Sequence, residues 1–429
     1  MPIPRSGRAP GPSGPQGLLP DELPFRPDLS IPSERLHSLL VLEGRGDVHE
    51  ACRSIVANAI FAHWQGACIH YSRDNTFYAA VRAGAPSWFS RRIVTSAVDK
   101  LVTSQLLDER RTPTSPSARY RSRLRATPKL IEAIGLDNVS ALSWRETPPV
   151  ILRCRADRRV LDPLAVLGDL ARIELDSITI DVQEHNAFLS NFNISLQADG
   201  AQALPSGLLR VGERYLNPQL RRYYRVFNGD LQHGGRWYGP WWQSIPSPVR
   251  RSLLIGGEPT VEIDYACCQV RLMFACLGLP DPLDGQIRAT DPASDIYAVE
   301  GMSRDEVKLA LLIMINAPSR RSALRALAAE LARCEPRRQE AARMLGAVQR
   351  HFAALEPLWC SGIGLRLQRI DSDICKHIQG EMRSAGLPVL SIHDSFISCR
   401  RAEARLRAVM QEAFTQVWKI GIKPERSGS

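Results

Sequence analysis

The chain has 429 residues, 44% of them hydrophobic, with 55 Lys and Arg against 45 Asp and Glu, a formal charge of +10. That composition supplies a sizeable core and excludes wholesale disorder. A positive balance of this size suits a polyanionic partner. Ten cysteines include no C-x-x-C pair and no zinc spacing, which reads as reduced thiols in a cytoplasmic protein. The N-terminus lacks the apolar run of a signal peptide, and no stretch reaches the length of a membrane span, so no membrane partner is expected.

Residues 1–33 are rich in Pro, Gly and Ser and are expected to form a disordered tail. A winged-helix-like domain is expected over 34–140. Its first part, 34–65, carries helical apolar spacing. Ser90 is a natural N-cap. After it Ile93, Val94, Ala97, Val98 and Leu101 form one helical stripe, while Arg91, Arg92, Thr95, Ser96 and Lys100 share the other face. LLDERR, the turn-rich TPTSPSA and RYRSRLRAT follow. Helix, short strand, turn and basic strand in that order resemble a winged helix-turn-helix. In that reading Arg91 and Arg92 on the helix, and Arg110, Arg111, Arg119, Arg121, Arg123 and Arg125 on the wing, reach phosphates.

Residues 141–218 carry no recognisable chemistry and read as a connector or reduced thumb. VILRCR suits a strand, and LDPLAVLGDLARIELDSITIDVQEHNAFLSN suits helices. From 219 the texture changes to Arg mixed with Tyr, Phe and Trp, a combination that fits a nucleic-acid groove.

Two carboxylates stand out in the last part, 219–425. TVEIDYACCQVRLMFACL reads as a strand ending at Asp264 and then a helix. PVLSIHDSFISC reads as a hairpin with His393 and Asp394 in the turn. Two acids on adjacent strands can bind two Mg²⁺ ions about 4 Å apart and stabilise both oxygens of an in-line phosphoryl transfer. Mn²⁺ is an acceptable substitute. Between them Arg304 and Lys308 lie four apart on one helix face, a clamp for a triphosphate.

In this order the segments resemble the palm and fingers of family A DNA polymerases, the group of bacterial polymerase I and its phage relatives. The family's D-Y-S-Q-x-E-x-R appears as Asp264-Tyr265-Ala266-Cys267-Cys268-Gln269-Val270-Arg271. Its R-x-x-x-K appears as Arg304 and Lys308, preceded by Asp295-Ile296-Tyr297. Its H-D-E appears as His393-Asp394-Ser395, and H-D-S stands there in the related single-subunit phage RNA polymerases. Gly235-Arg236 precedes Gln243-Ser244-Ile245-Pro246, like the family's G-R and Q-N-I-P. Gln368, Asp373, Ile374 and Lys376 match Q-x-x-x-x-D-I-x-K. The similarity covers about residues 225–400.

The fold expected is α+β: by the resemblance, a small antiparallel palm sheet carrying Asp264 and Asp394 and helical fingers over roughly 285–365, and by the element order above, a mainly helical N-terminal region containing the winged helix. It implies a DNA polymerase-like nucleotidyltransferase that extends a primer on a template. Asp264 and Asp394 are then the metal ligands. Arg304 and Lys308 grip the nucleoside triphosphate, and Lys308 can protonate the pyrophosphate. His393 positions the primer end. Tyr265, Gln269 and Arg271 belong to the substrate site, and Arg236, Gln243 and Gln368 to the primer–template interface. Gln269 replaces the glutamate that crowds the ribose 2′-OH in DNA-making members, which puts the choice of sugar in doubt. Leu312, Asn316 and Ala317 replace the aromatic and the Tyr-Gly pair of the fingers helix. The alternatives are a non-catalytic DNA-binding initiator or regulator on a degenerate polymerase fold, a single-subunit RNA polymerase, and template-independent nucleotide addition.

Overall fold

The computed structural model describes residues 22–25, 29–39, 46–64, 67–74, 78, 86, 88–111, 122–134, 143–144, 147–156, 160–203, 209–212, 214–284, 286–287, 295–331 and 338–420. The architecture is mixed α+β, and the chain divides into two compact units, 1–147 with 204–207, and 148–203 with 208–429. The division therefore falls at 147/148 and not at 140/141.

The first unit runs β1 (Glu22–Pro24), β2 (Leu29–Ser30), α1 (Ser33–Leu39), α2 (Asp47–Trp64), β3 (Cys68–Tyr71), α3 (Arg91–Thr103), β4 (Leu107–Arg110), β5 (Ser122–Ala126), α4 (Pro128–Ile134) and β6 (Ser143–Trp144). One sheet has the order β1-β3-β5-β4, and β2 pairs separately with β6. The described part of this unit is mainly helical, as expected, and its helices share a core with β3, β4 and β5. The tail boundary at 33 is corrected. β1 pairs parallel with β3, and Leu29 and Ile31 are fully buried, because these apolar side chains fill the same core as α2.

Helix α3 forms as its sequence dictates. The Ser90 side chain accepts from the Ile93 amide, and the buried residues are the expected Ile93, Val94, Ala97, Val98 and Leu101. A cap of this kind is worth about 1 kcal/mol and each buried aliphatic side chain about 1.5–3 kcal/mol. β4 and β5 follow as an antiparallel pair with Leu107 opposite Ala126 and Arg110 opposite Arg123. A helix and two strands therefore occur in the order read from the sequence. The turn itself, with Arg119 and Arg121, lies outside the described residues.

The second unit opens with β7 (Val150–Arg153), β8 (Val160–Leu161), α5 (Pro163–Val166), α6 (Asp169–Ser190) and β9 (Ile194–Leu196). β10 (Ala201–Ala203), β11 (Leu209–Val211) and β12 (Arg214–Leu216) form a small antiparallel sheet. Then come β13 (Tyr224–Asn228), β14 (Asp230–Tyr238), α7 (Ser247–Arg250), β15 (Leu253–Ile255), β16 (Glu258–Asp264) and α8 (Cys268–Cys276). The unit ends with α9 (Arg304–Asn316), α10 (Arg320–Leu331), α11 (Arg338–His351), α12 (Gly364–Ser384), β17 (Val389–Ile392), β18 (Ser395–Cys399) and α13 (Glu403–Ile420).

Its central sheet is antiparallel throughout, in the order β17-β18-β16-β15-β9. β9 is an edge strand of this sheet, with Leu196 opposite Leu253. β7 pairs parallel with β13. The stretch 148–203 therefore belongs to the second unit. Strand pairing between residues 57 to 75 positions apart leaves no local signal in the sequence. Helices α8, α9, α11, α12 and α13 pack into the same core as the central sheet.

Among the described residues no helix is long and apolar enough to cross a membrane. The nine described cysteines are free thiols.

Candidate active site

The site is built on the end of the β16–β18 ladder. Thr260 pairs with Cys399 at one end and Asp264 with Ser395 at the other. The Tyr265 amide donates to the Asp394 carbonyl at 3.2 Å, which closes the ladder and sets Asp394 beside Asp264. Adjacent strands lie about 4.8 Å apart. His393, at φ +59°, occupies the left-handed region in the two-residue turn between β17 and β18. Thus a β-hairpin tip and a strand end bring together two acids 130 positions apart.

Two further acids flank this pair, and each has its own arginine. Glu262 lies two residues before Asp264, on the same face of β16. It is held by Arg250 through contacts of 2.6 and 3.1 Å, and it accepts from the Ser395 hydroxyl at 2.7 Å. Ser395, which stands where the H-D-E motif has a glutamate, thus serves as a donor to Glu262. Asp371 projects from α12 and accepts from Arg236 Nε at 2.9 Å. Sequence reading missed Asp371. The available signal was an acid interrupting the buried stripe Leu367, Ile374, Cys375 and Ile378 of α12.

Burial pushes the Asp394 carboxyl above the ordinary carboxylate range, although the Arg236 charge pulls it down. Burial likewise pushes Asp371 up to about 6. Arg236 opposes this and the charge of Asp394 adds to it. A carboxyl that burial keeps from ionising is a natural cation ligand, because a bound cation removes that penalty. Asp264 and Asp394 are the residues that could hold Mg²⁺. They fit the hard-oxygen donor set that ion prefers, with substrate phosphates and water completing its shell. Among the described residues no group of three or more His, Cys, Asp or Glu side chains is gathered to hold a metal.

His393 stands edge-on to Tyr238, ring centroids 5.6 Å apart. Burial, with help from the Arg236 charge, lowers its pKa to about 4, so the imidazole is neutral at pH 7.

Arg236 owes its place to the two glycines before it. Gly234 and Gly235 have φ of +86° and +81° within a bulge of the β13–β14 pair. A Cβ at Gly235 would stand 2.6 Å from the Phe227 ring. Only glycine tolerates both the backbone angle and the contact. Arg225, fully buried, donates from Nε to the Gly235 carbonyl at 2.7 Å and from Nη2 to Ser372 Oγ at 2.5 Å.

Arg304 and Lys308 lie on α9. Ser303 and Glu306 form a capping box that starts the helix immediately before Arg304. The Arg304 guanidinium lies 5.0 Å over the Tyr297 ring and Lys308 Nζ lies 5.9 Å from it. The Tyr297 hydroxyl is hydrogen-bonded to the Cys267 thiol. Cys267 follows Asp264 by three residues, in a left-handed conformation (φ +54°) at the start of α8. One aromatic ring therefore ties both cations to the loop that carries Asp264. Arg304 also forms an ion pair with Asp295.

Leu312 and Asn316 are exposed on α9, and Asn316 bonds back to the Leu312 carbonyl at 2.7 Å. Gln269 is half-buried in the first turn of α8. Gln368 is half-buried on α12.

Three expected site residues are placed otherwise. Arg271 is fully buried. It makes a two-point pair with Asp281 at 2.8 and 2.5 Å and lies 4.1 Å over Phe414, so its guanidinium is partnered inside the fold. Tyr265 is also buried, and its hydroxyl donates to the Met410 carbonyl at 2.5 Å. The Gln243 amide donates to the carbonyls of Trp237 and Ser391 at 3.0 and 3.1 Å, so it braces the sheet rather than reaching outward. Arg271 and Tyr265 are buried, and Gln243 is half-buried.

In the first unit Arg91 and Arg92 are exposed at the start of α3, and Arg91 Nε donates to the Arg73 carbonyl at 2.7 Å. Arg123 is half-buried and Arg125 exposed. Together with Asp108, Glu109 and Arg110 they line a hollow of about 260 Å³. Arg111 is paired to Glu109 and Asp99 at 2.9 and 3.4 Å, so part of the hairpin's positive charge is neutralised internally.

No family model and no curated protein sequence matches the chain.

Proposed function

We propose that the protein is a template-directed nucleotidyltransferase of the DNA polymerase type, extending a primer by in-line attack of its 3′-OH on the α-phosphate of a nucleoside triphosphate. The single observation that carries this reading is the register of β16 and β18. It sets Asp264 beside Asp394 at the mouth of an antiparallel sheet, in the same unit as a helix bearing Arg304 and Lys308.

Asp264 and Asp394 are the ligands for two Mg²⁺ ions, with Mn²⁺ as a substitute. Bound there, the ions would lower the electrostatic cost of placing a nucleophile and a leaving group on one phosphorus. Arg304 and Lys308 bind the triphosphate, held in place by Tyr297 beneath them. Nucleotide phosphates would compete with Asp295 for Arg304. Lys308 supplies the proton to the departing pyrophosphate. Neutral His393, fixed by the turn, orients the primer end, and Arg236 and Gln368 face the primer–template. Gln269, a neutral amide, stands where sugar choice is made, so ribonucleotides and an RNA product or template fall within the same chemistry. Electrostatic preorganisation supplies most of the catalysis.

For the first unit we propose a winged helix that binds duplex DNA. Arg91, Arg92, Arg123 and Arg125 are the phosphate-contacting side chains of α3 and the β4–β5 hairpin. The protein would act on cytoplasmic DNA.

A second reading, a DNA-binding protein without catalysis, draws on one observation. Asn316 bonds back to its own helix, at a place where the resemblance implies an aromatic ring that stacks on the template.

Primer extension with Mg²⁺ on a labelled primer–template separates the two. Deoxy- and ribonucleotides are supplied in separate tubes, and an Asp264→Ala/Asp394→Ala variant is the control. Extension that disappears in the control is the expected result, and the productive tube names the sugar. Absence of extension with DNA binding intact in both proteins would establish the second reading.

A further inference from the structure

Asp371 has no counterpart in the motifs that led to the site, yet its carboxylate is buried beside them. It accepts a hydrogen bond from Arg236 Nε at 2.9 Å, and the charge of Arg236 also acts on Asp394. Arg236 therefore pairs with Asp371, and Tyr238, two residues on along the same face of β14, stands edge-on at 5.6 Å to His393, the neighbour of Asp394. The Arg236 side chain is 18% exposed and that of Asp371 6%, so the choice of partner is made largely out of water, where charge interactions are strong.

The backbone around Arg236 leaves that choice to the side chain. Before it, the Gly235 carbonyl accepts from Arg225 Nε at 2.7 Å and from the Ser372 hydroxyl. After it, Trp237 Nε1 donates to the Ser372 carbonyl at 3.3 Å. β14 is thus pinned to α12 on both sides of residue 236. An arginine anchored this way, without a carboxylate of its own, would pair with Asp394 and compete there with any cation. Among the described residues Asp371 does not join Asp264 and Asp394 in a three-acid group, so its placement is not that of a third ligand.

We propose that Asp371 is a positioning residue whose carboxylate holds Arg236 off Asp394 and so keeps Asp394 available to a divalent cation. The inference rests on the reading of Asp264 and Asp394 as cation ligands.

The test is a Mn²⁺ titration of the full chain without nucleotide, with free Mn²⁺ read by electron paramagnetic resonance. Circular dichroism confirms that each variant is folded. Asp371→Asn should weaken Mn²⁺ binding about tenfold, the scale of a lost outer-sphere partner. Arg236→Gln/Asp371→Asn should bring the affinity back to within about threefold of the unmodified protein, because the competing cation is gone. Arg236→Gln alone should bind at least as tightly as the unmodified protein.

The proposal is overturned if Asp371→Asn changes affinity by less than about threefold. It is also overturned if the double variant does not recover, which would make Asp371 itself a ligand. A loss of affinity in Arg236→Gln overturns it without any recourse to Asp371→Asn, should that variant not fold. If the unmodified protein binds no Mn²⁺, or Asp264→Asn/Asp394→Asn binds it equally well, the reading of the acid pair fails first and this proposal falls with it.

Discussion

Replacing Arg271 tests directly whether a motif residue serves the substrate or the fold. Its side chain is 0% exposed, and its partner Asp281 is 9% exposed. Two hydrogen bonds, at 2.8 and 2.5 Å, join them, and Phe414 covers the guanidinium at 4.1 Å. Arg271→Ala takes the cationic partner from the Asp281 carboxylate in a site almost free of water, while the Leu283 amide still donates to it at 3.2 Å. Breaking a buried pair from one side costs about 3–5 kcal/mol, against about 0–1 kcal/mol for an exposed pair. The stem of Arg271 also packs against neighbours, and truncation removes that packing as well. Arg271→Met/Asp281→Leu removes both charges and refills the space, so it should lie within about 1–2 kcal/mol of the unmodified protein. Urea unfolding followed by tryptophan fluorescence measures all three. Nucleotide KM in the same variants, taken at a temperature where each is folded, reads the other role. A stability loss below about 1 kcal/mol for Arg271→Ala, together with a large rise in nucleotide KM, would refute the buried-pair argument. It would return Arg271 to the substrate site.

Lys308→Ala should lower the rate of nucleotide addition about 100-fold in single-turnover extension, with DNA affinity unchanged. An equal loss of DNA affinity would place Lys308 on the template strand instead. Arg92→Gln/Arg123→Gln should weaken duplex binding at every sequence tested. It should flatten the slope of log affinity against log salt by about 0.9 for each phosphate no longer neutralised, measured by fluorescence anisotropy at several salt concentrations. An unchanged slope would remove these arginines from the DNA interface.

His185 is buried with neither ring nitrogen hydrogen-bonded, and burial, with the nearby Arg383 charge, lowers its pKa to about 3. The unfolded chain takes up that proton near pH 6.5, so the stabilisation is full above about pH 6.5 and is lost progressively as pH falls toward 3. From pH 7 to 5 this amounts to about 2 kcal/mol. His185→Phe should remove that part of the slope in urea midpoints taken at both pH values, and an unaltered slope would assign it to other groups.

Much of the local structure was legible. The stripe Ile93, Val94, Ala97, Val98 and Leu101, its Ser90 cap, and the hairpin around His393-Asp394 are each dictated within a dozen residues by period and turn chemistry. So are the strand ending at Asp264 and the helix face shared by Arg304 and Lys308, and with them the sequence by itself determined the candidate acids and the candidate clamp. It could not say which charged groups are spent inside the fold. Arg271 and Tyr265 occur within a motif that points to substrate, but an apolar helix and strand turned them inward onto Asp281, Phe414 and the Met410 carbonyl. Nor could it place β9 on the edge of the central sheet, pair Glu262 with Arg250, or set Asp371 against Arg236. Those pairings join residues 12 to 135 positions apart. Tertiary structure decided them because pairing and burial depend on which surfaces meet, whereas periodicity and capping are complete within one turn of chain.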